Sequence, residues 1–213
     1  MSGGKRLTVL SEAILCSLGF MVFSFFIHYK SPLRLLSFTA LLMSAFIISR
    51  NLRSLSDLKR ITGESISFKI TLLYTIFGIA PGIVLAVCYR LYLNISLFPE
   101  WFHIFVVVAA LIGCMEELVF RGFIQGHVES INGPFSILFG TLSHTGYKCC
   151  LFLSPVITAD VDLGLLAFYT FIAGLLFGIT RHLSKSLLPA LSAHALFDIL
   201  VYAEFVSAPW WVW

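Results

Sequence analysis

The sequence predicts an all-α fold, a polytopic transmembrane bundle of about seven helices with one short interfacial amphipathic helix. Three observations carry that reading. Hydrophobic residues make up 59% of the 213-residue chain and charged residues only 12%, against about 45–50% and about 25% in soluble domains. The apolar residues fall in seven runs, most of them near the roughly 20 residues that a membrane helix needs. The basic residues gather in alternate connections between those runs, as they do in membrane proteins of fixed orientation.

The runs lie at about Thr8–Tyr29, Leu33–Ser49, Phe68–Leu93, Phe102–Phe123, Phe135–Leu153, Leu163–Arg181 and Ser186–Val206. The first follows Lys5 and Arg6 and imitates a secretory signal. It is long and no small-x-small cleavage site closes it, so it reads as a retained anchor. The second is short, and only Lys30-Ser-Pro32 separates it from the first. The segment Arg50–Lys69 is the one substantial polar stretch. Its leucines Leu52, Leu55 and Leu58 recur three apart, which fits a short amphipathic helix on the lipid surface. The fifth run is the least apolar. No internal repeat or low-complexity segment divides the chain, so residues 1–213 read as a single integral membrane domain.

With the N-terminus in the cytoplasm, the cytoplasmic side holds Lys5, Arg6, Arg50, Arg53, Lys59, Arg60, Lys69, Arg181 and Lys185. The outer side keeps Lys30 and Arg34, with Arg90 near its edge, and the acidic loop Asp160–Asp162. This bias predicts N-in, C-out, with the tail from Trp210 to Trp213 as an outer aromatic belt. A net charge of +3 is too small to argue for nucleic acid. The five cysteines form no CxxC pair and read as buried free thiols.

Charges interrupt three of the apolar runs. The fourth carries Glu116, Glu117 and Arg121, the fifth His144, and the seventh His194 and Asp198. A charge in mid-bilayer costs roughly 2.5–3.5 kcal/mol on insertion scales, and survivors face the bundle interior and mark function. Glu117 and Arg121 are four apart and pair on one face. Glu116 is rotated about 100° away and is the freer carboxylate. His194 and Asp198 are also four apart, a spacing at which a carboxylate can orient the ring.

These residues resemble the motifs of the CPBP family, the CAAX proteases and bacteriocin-processing or Abi-type enzymes. Glu116, Glu117 and Arg121 match a first motif Glu-Glu-x-x-x-Arg in full. His144 matches the histidine of a second motif Phe-x-x-x-His, although Gly140 stands where the Phe is expected and Phe139 is one place early. His194 and Asp198 match a third motif, His-x-x-x-Asn/Asp. The resemblance covers about Val106 to Tyr202, within a core of about 102–206. It implies an intramembrane endopeptidase acting on a membrane-associated peptide or protein, with Glu117 and Arg121 structural or substrate-positioning. The short chain points to a prokaryotic member in the inner, cytoplasmic membrane.

The chemistry fits that expectation. Hydrolysis needs an activated water, a stabiliser for the oxyanion and a proton for the leaving amine. Glu116 in a dry cavity can serve as the base. His144 and His194 can hold the water or the oxyanion, and Asp198 can orient His194 or bind the oxyanion itself. The same four residues are zinc-ligand types, but His-Glu-x-x-His is absent and the histidines lie on different helices. A mechanism without a cofactor is therefore favoured, with zinc as the alternative. Two other classes compete. An ion-coupled transporter would use buried Glu and His as proton relays, yet no inverted repeat is visible. A non-catalytic scaffold or immunity protein of the same fold would keep the bundle without the reaction. Lipids and the substrate are the expected partners; oligomeric state is left open.

Overall fold

The computed structural model describes residues 3–63, 67–157 and 161–206. All regular structure among them is helical. Helix α1 spans Gly3–Phe26, α2 Arg34–Arg50, α3 Leu55–Thr62, α4 Phe68–Tyr92, α5 Phe105–Glu117, α6 Gly126–Val128, α7 Gly133–Leu153, α8 Leu163–Ser184 and α9 Leu188–Tyr202. Each of the seven apolar runs is a helix, with α3 as the extra amphipathic one. The Trp210–Trp213 belt and Asp160 lie outside the described residues.

The helices differ in how well each alone would span a bilayer. By length and apolarity α1, α4 and α8 suffice, and α2 with α3 forms a fourth candidate bent by 116°. Helix α9 has 15 residues and is shorter than a full span. The fourth run is not the uniform α-helix that its sequence suggested. After Glu117 it becomes a π-helix over Leu118–Gln125 and then runs on as α6. Such wide turns are uncommon and often accompany functional sites. All residues from Phe120 to Val128 are buried, so this stretch passes through the middle of the bundle.

Burial is inverted relative to a soluble domain. Leu42, Phe46, Phe77 and Ile104 are 65–83% exposed, whereas Arg90, Glu117, Arg121 and Gln125 are fully buried. Apolar side chains facing outward need a nonaqueous surrounding, and buried polar ones need partners. Several of these partners tie one helix to another. Ser17 Oγ meets Ser143 Oγ at 2.9 Å, tying α1 to α7. Arg90 bonds the Leu200 carbonyl at 2.8 Å and the Glu204 carboxylate at 2.8 Å, pinning α4 to the end of α9. The fold is therefore that of a helical membrane bundle, and the protein is an integral membrane protein.

Helix α3 is capped by Ser54, whose hydroxyl accepts from the Asp57 amide at 3.2 Å. Its Leu55 is 79% exposed, as a lipid-surface helix requires, but Ile61 is buried in a cluster with Phe120, Phe123 and Ile124. The helix is thus docked on the π segment rather than simply resting on lipid. The cysteines also depart from expectation: all are free, but only Cys16 is fully buried and Cys88 is exposed.

Candidate active site

Glu116 and Glu117 end α5 on successive residues, so they point to different neighbours. Both are buried, the second completely. Glu116 faces α7. Its Oε2 lies 3.1 Å from His144 Nε2, and its Oε1 forms an ion pair with Lys148. It is consequently not the freer carboxylate that its rotation implied, because α7 supplies two partners on one face. Glu117 faces the π segment and α9. Its Oε2 is 3.4 Å from Arg121 Nε, the pair expected from their spacing, and its Oε1 is 2.8 Å from His194 Nδ1.

Donor logic assigns the rings. A guanidinium only donates, so Arg121, 2.7 Å from His144 Nδ1, makes that nitrogen the acceptor. The proton of neutral His144 then sits on Nε2 and is donated to Glu116. The carboxylate of Glu117 only accepts, so His194 carries its proton on Nδ1 and turns Nε2 to the cavity. That Nε2 is 3.8 Å from Glu116 Oε2 and 3.7 Å from Asp198 Oδ2. Both separations exceed a direct hydrogen bond. Asp198 is near the ring but does not orient it.

All six residues singled out in the sequence belong to this one locus. Glu116, His144, His194 and Asp198 line a cavity of about 110 Å³ together with apolar and tyrosine side chains. Glu117 and Arg121 lie behind it and hold the two histidines. Two glycines permit the close packing. A Cβ on Gly113 would collide with the Asp198 carboxylate, and one on Gly140 would stand 3.1 Å from the Phe120 carbonyl. Gly140 occupies the place where the second motif has Phe. Here α7 approaches the π segment closely instead, and Phe120 stacks on His144 with ring centroids 4.7 Å apart.

Sequence reasoning passed over Lys148. Its signal was available: it lies four residues after His144, hence on the same face of an apolar helix. Tyr89, Tyr169 and Tyr202 also line the cavity. Scattered tyrosines on three apolar helices give no such signal, because they resemble interfacial anchors.

The donor types would suit zinc, and in this structure they contact one another. Among the described residues no three His, Cys, Asp or Glu side chains group as metal ligands. Here His144 Nε2 is turned to Glu116 and Lys148 brings an ammonium against the carboxylate a metal would need, while His194 keeps Nε2 free.

Searches of the curated proteins and of the solved structures each returned no significant match. A family model described as type II CAAX prenyl endopeptidase Rce1-like matches residues 98–200. The match contains Glu116, Glu117, Arg121, His144, Lys148, His194 and Asp198 and nearly all of the expected core. Residues 98–200, just under half of the chain, thus match the Rce1-like domain of the CPBP, or CAAX protease, family.

Proposed function

We propose that the protein is an intramembrane endopeptidase of the glutamate type, hydrolysing a peptide bond in a membrane-associated peptide or protein, with no metal taking part. The observation that carries this reading is the placement of Glu116 at the cavity wall, with His194 Nε2 across from it at 3.8 Å. That gap suits a water bridging the two acceptors. Glu116 Oε2 takes one hydrogen of the water, and the lone pair of His194 Nε2 takes the other in a hydrogen bond. His144 donates to the same Oε2 and so steers the carboxylate. Water oxygen then bonds to the substrate carbonyl carbon as its proton passes to Glu116. Collapse of the tetrahedral intermediate breaks the C–N bond, and the same proton goes to the departing amine. Asp198 bounds the site beyond His194.

The apolar rest of the cavity wall, including Leu85, Phe177 and Phe197, fits a substrate that reaches the site from lipid. A farnesylated CAAX-type peptide, the substrate class in the family's name, is the first probe. The test uses purified protein in detergent micelles, with cleavage read by mass spectrometry. Wild type should cleave and Glu116→Gln should not, while keeping the wild-type melting temperature, because the amide is nearly isosteric but cannot accept the proton. Full activity of Glu116→Gln would sink the glutamate mechanism. Inactivation by chelators with recovery on adding zinc would replace it with a metal-dependent one.

A further inference from the structure

A lysine in a membrane interior is costly and needs a counter-charge. Lys148 has one in Glu116, but its side chain remains 21% exposed where that of Glu116 is 6%. Both residues line the cavity, and among the described residues Lys148 is the only lysine or arginine to do so. The other cation of the locus is immobile by comparison. Arg121 is fully buried, with Nη1 committed to His144 and Nε facing Glu117. His194 and His144 have each directed their ring proton to a carboxylate, at 2.8 and 3.1 Å. The reaction set out above therefore has no charged donor for the oxyanion among these groups; besides the hydroxyls of Tyr89, Tyr169, Thr170 and Tyr202, the cavity contains one ammonium with three hydrogens on a flexible stem.

We propose that Lys148 is a catalytic residue whose ammonium stabilises the oxyanion; this rests on the Glu116 reading. Before attack the ammonium neutralises the Glu116 carboxylate. As water oxygen bonds to the carbonyl carbon, the proton moves to Glu116, which becomes neutral, and the carbonyl π pair moves to its oxygen, which becomes negative. The negative charge leaves one oxygen beside Lys148 and appears on another within the same cavity. Lys148 gives up no proton and only redirects a hydrogen bond. When the C–N bond breaks, the oxyanion re-forms the carbonyl, the proton leaves with the amine and the Glu116–Lys148 pair is restored. An interaction made only at the oxyanion stage raises kcat and leaves KM nearly untouched.

The experiment follows cleavage of the farnesylated CAAX-type peptide by Lys148→Met, Lys148→Gln, Lys148→Arg and Lys148→Ala, with melting temperatures recorded for each. Lys148→Met and Lys148→Gln should lose about 10²–10³-fold in kcat, the usual loss for an oxyanion donor. Their KM should stay within about threefold, the mark of an interaction made in the transition state alone. Lys148→Arg should retain more rate than either. Lys148→Ala should regain rate as ethylammonium is added, saturably, which a purely structural lysine would not allow. Lys148→Gln keeps a hydrogen-bond donor for Glu116, so it reports on catalysis even if Lys148→Met fails to fold. Wild-type kcat in Lys148→Gln, or a loss in Lys148→Ala that no amine relieves, overturns the proposal. If Glu116→Gln is inactive while Lys148→Gln is fully active, only the role of Lys148 falls. If Glu116→Gln is fully active, or wild type cleaves nothing, the mechanism it rests on falls as well.

Discussion

Glu117 Oε1 lies 2.8 Å from His194 Nδ1, and this contact between α5 and α9 fixes the orientation and tautomer of the ring. Asp198, four residues along the same helix, stays 3.7 Å from the other nitrogen. The second glutamate of the pair is therefore the positioning group for the third motif's histidine. Glu117→Gln should lower kcat by about 10–100-fold, as loss of a ring-orienting carboxylate does. Asp198→Asn should cost less. A larger kcat loss in Asp198→Asn than in Glu117→Gln, measured side by side, would reverse that assignment.

Arg121 links both glutamate environments, with Nη1 2.7 Å from His144 and Nε 3.4 Å from Glu117. Removing it leaves Glu117 buried without its cation, at a cost of about 3–5 kcal/mol. Arg121→Ala should therefore yield less folded protein and a lower melting temperature. Arg121→Lys should recover only part of the stability, because a point charge cannot replace a planar fork spanning two partners. Wild-type yield and melting temperature for Arg121→Ala would contradict this.

Outside the spans, Glu129 joins the α6–α7 connection to the end of α8. Arg181 Nη1 and His182 Nδ1 each lie 2.6 Å from it, and Lys185 Nζ 2.9 Å. Burial of the carboxyl opposes ionisation, but the Lys185, Arg181 and His182 hydrogen bonds outweigh it and bring its pKa from 4.5 to about 2. A carboxyl with a depressed folded value stabilises the fold above its unfolded pKa, and that contribution is lost as pH falls through the folded one. The melting temperature of wild type should exceed that of Glu129→Gln at neutral pH, and the gap should close between pH 4.5 and about 2. A gap that is constant over this range would show that the cluster contributes nothing through charge.

The basic residues point to a cytoplasmic N-terminus, nine against two with Arg90 set aside. A reporter that is active only outside the cytoplasm should be active when fused to the C-terminus in a bacterial inner membrane. Activity instead from a cytoplasm-only reporter at that end would invert the topology.

Composition and run length determined by themselves that this chain is helical and sits in a membrane, because no soluble surface could hide so much apolar area. The spacing of charges within the apolar runs likewise identified the six polar residues that meet in the site. A charge on a lipid-bound helix has few tolerable environments, so its mere presence locates the interior. Local pairing was legible to the same degree, as the Glu117–Arg121 contact shows, since four residues of helix fix a distance. What faces what across helices was decided only by the tertiary structure. Rotation of α7 against α5 placed Lys148 on Glu116, and the approach of α9 gave His194 to Glu117 rather than to Asp198. The π segment after Glu117 and the stacking of Phe120 on His144 were hidden for the same reason. Such contacts depend on the relative rotation and depth of helices packed side by side, which no periodicity within a single helix records.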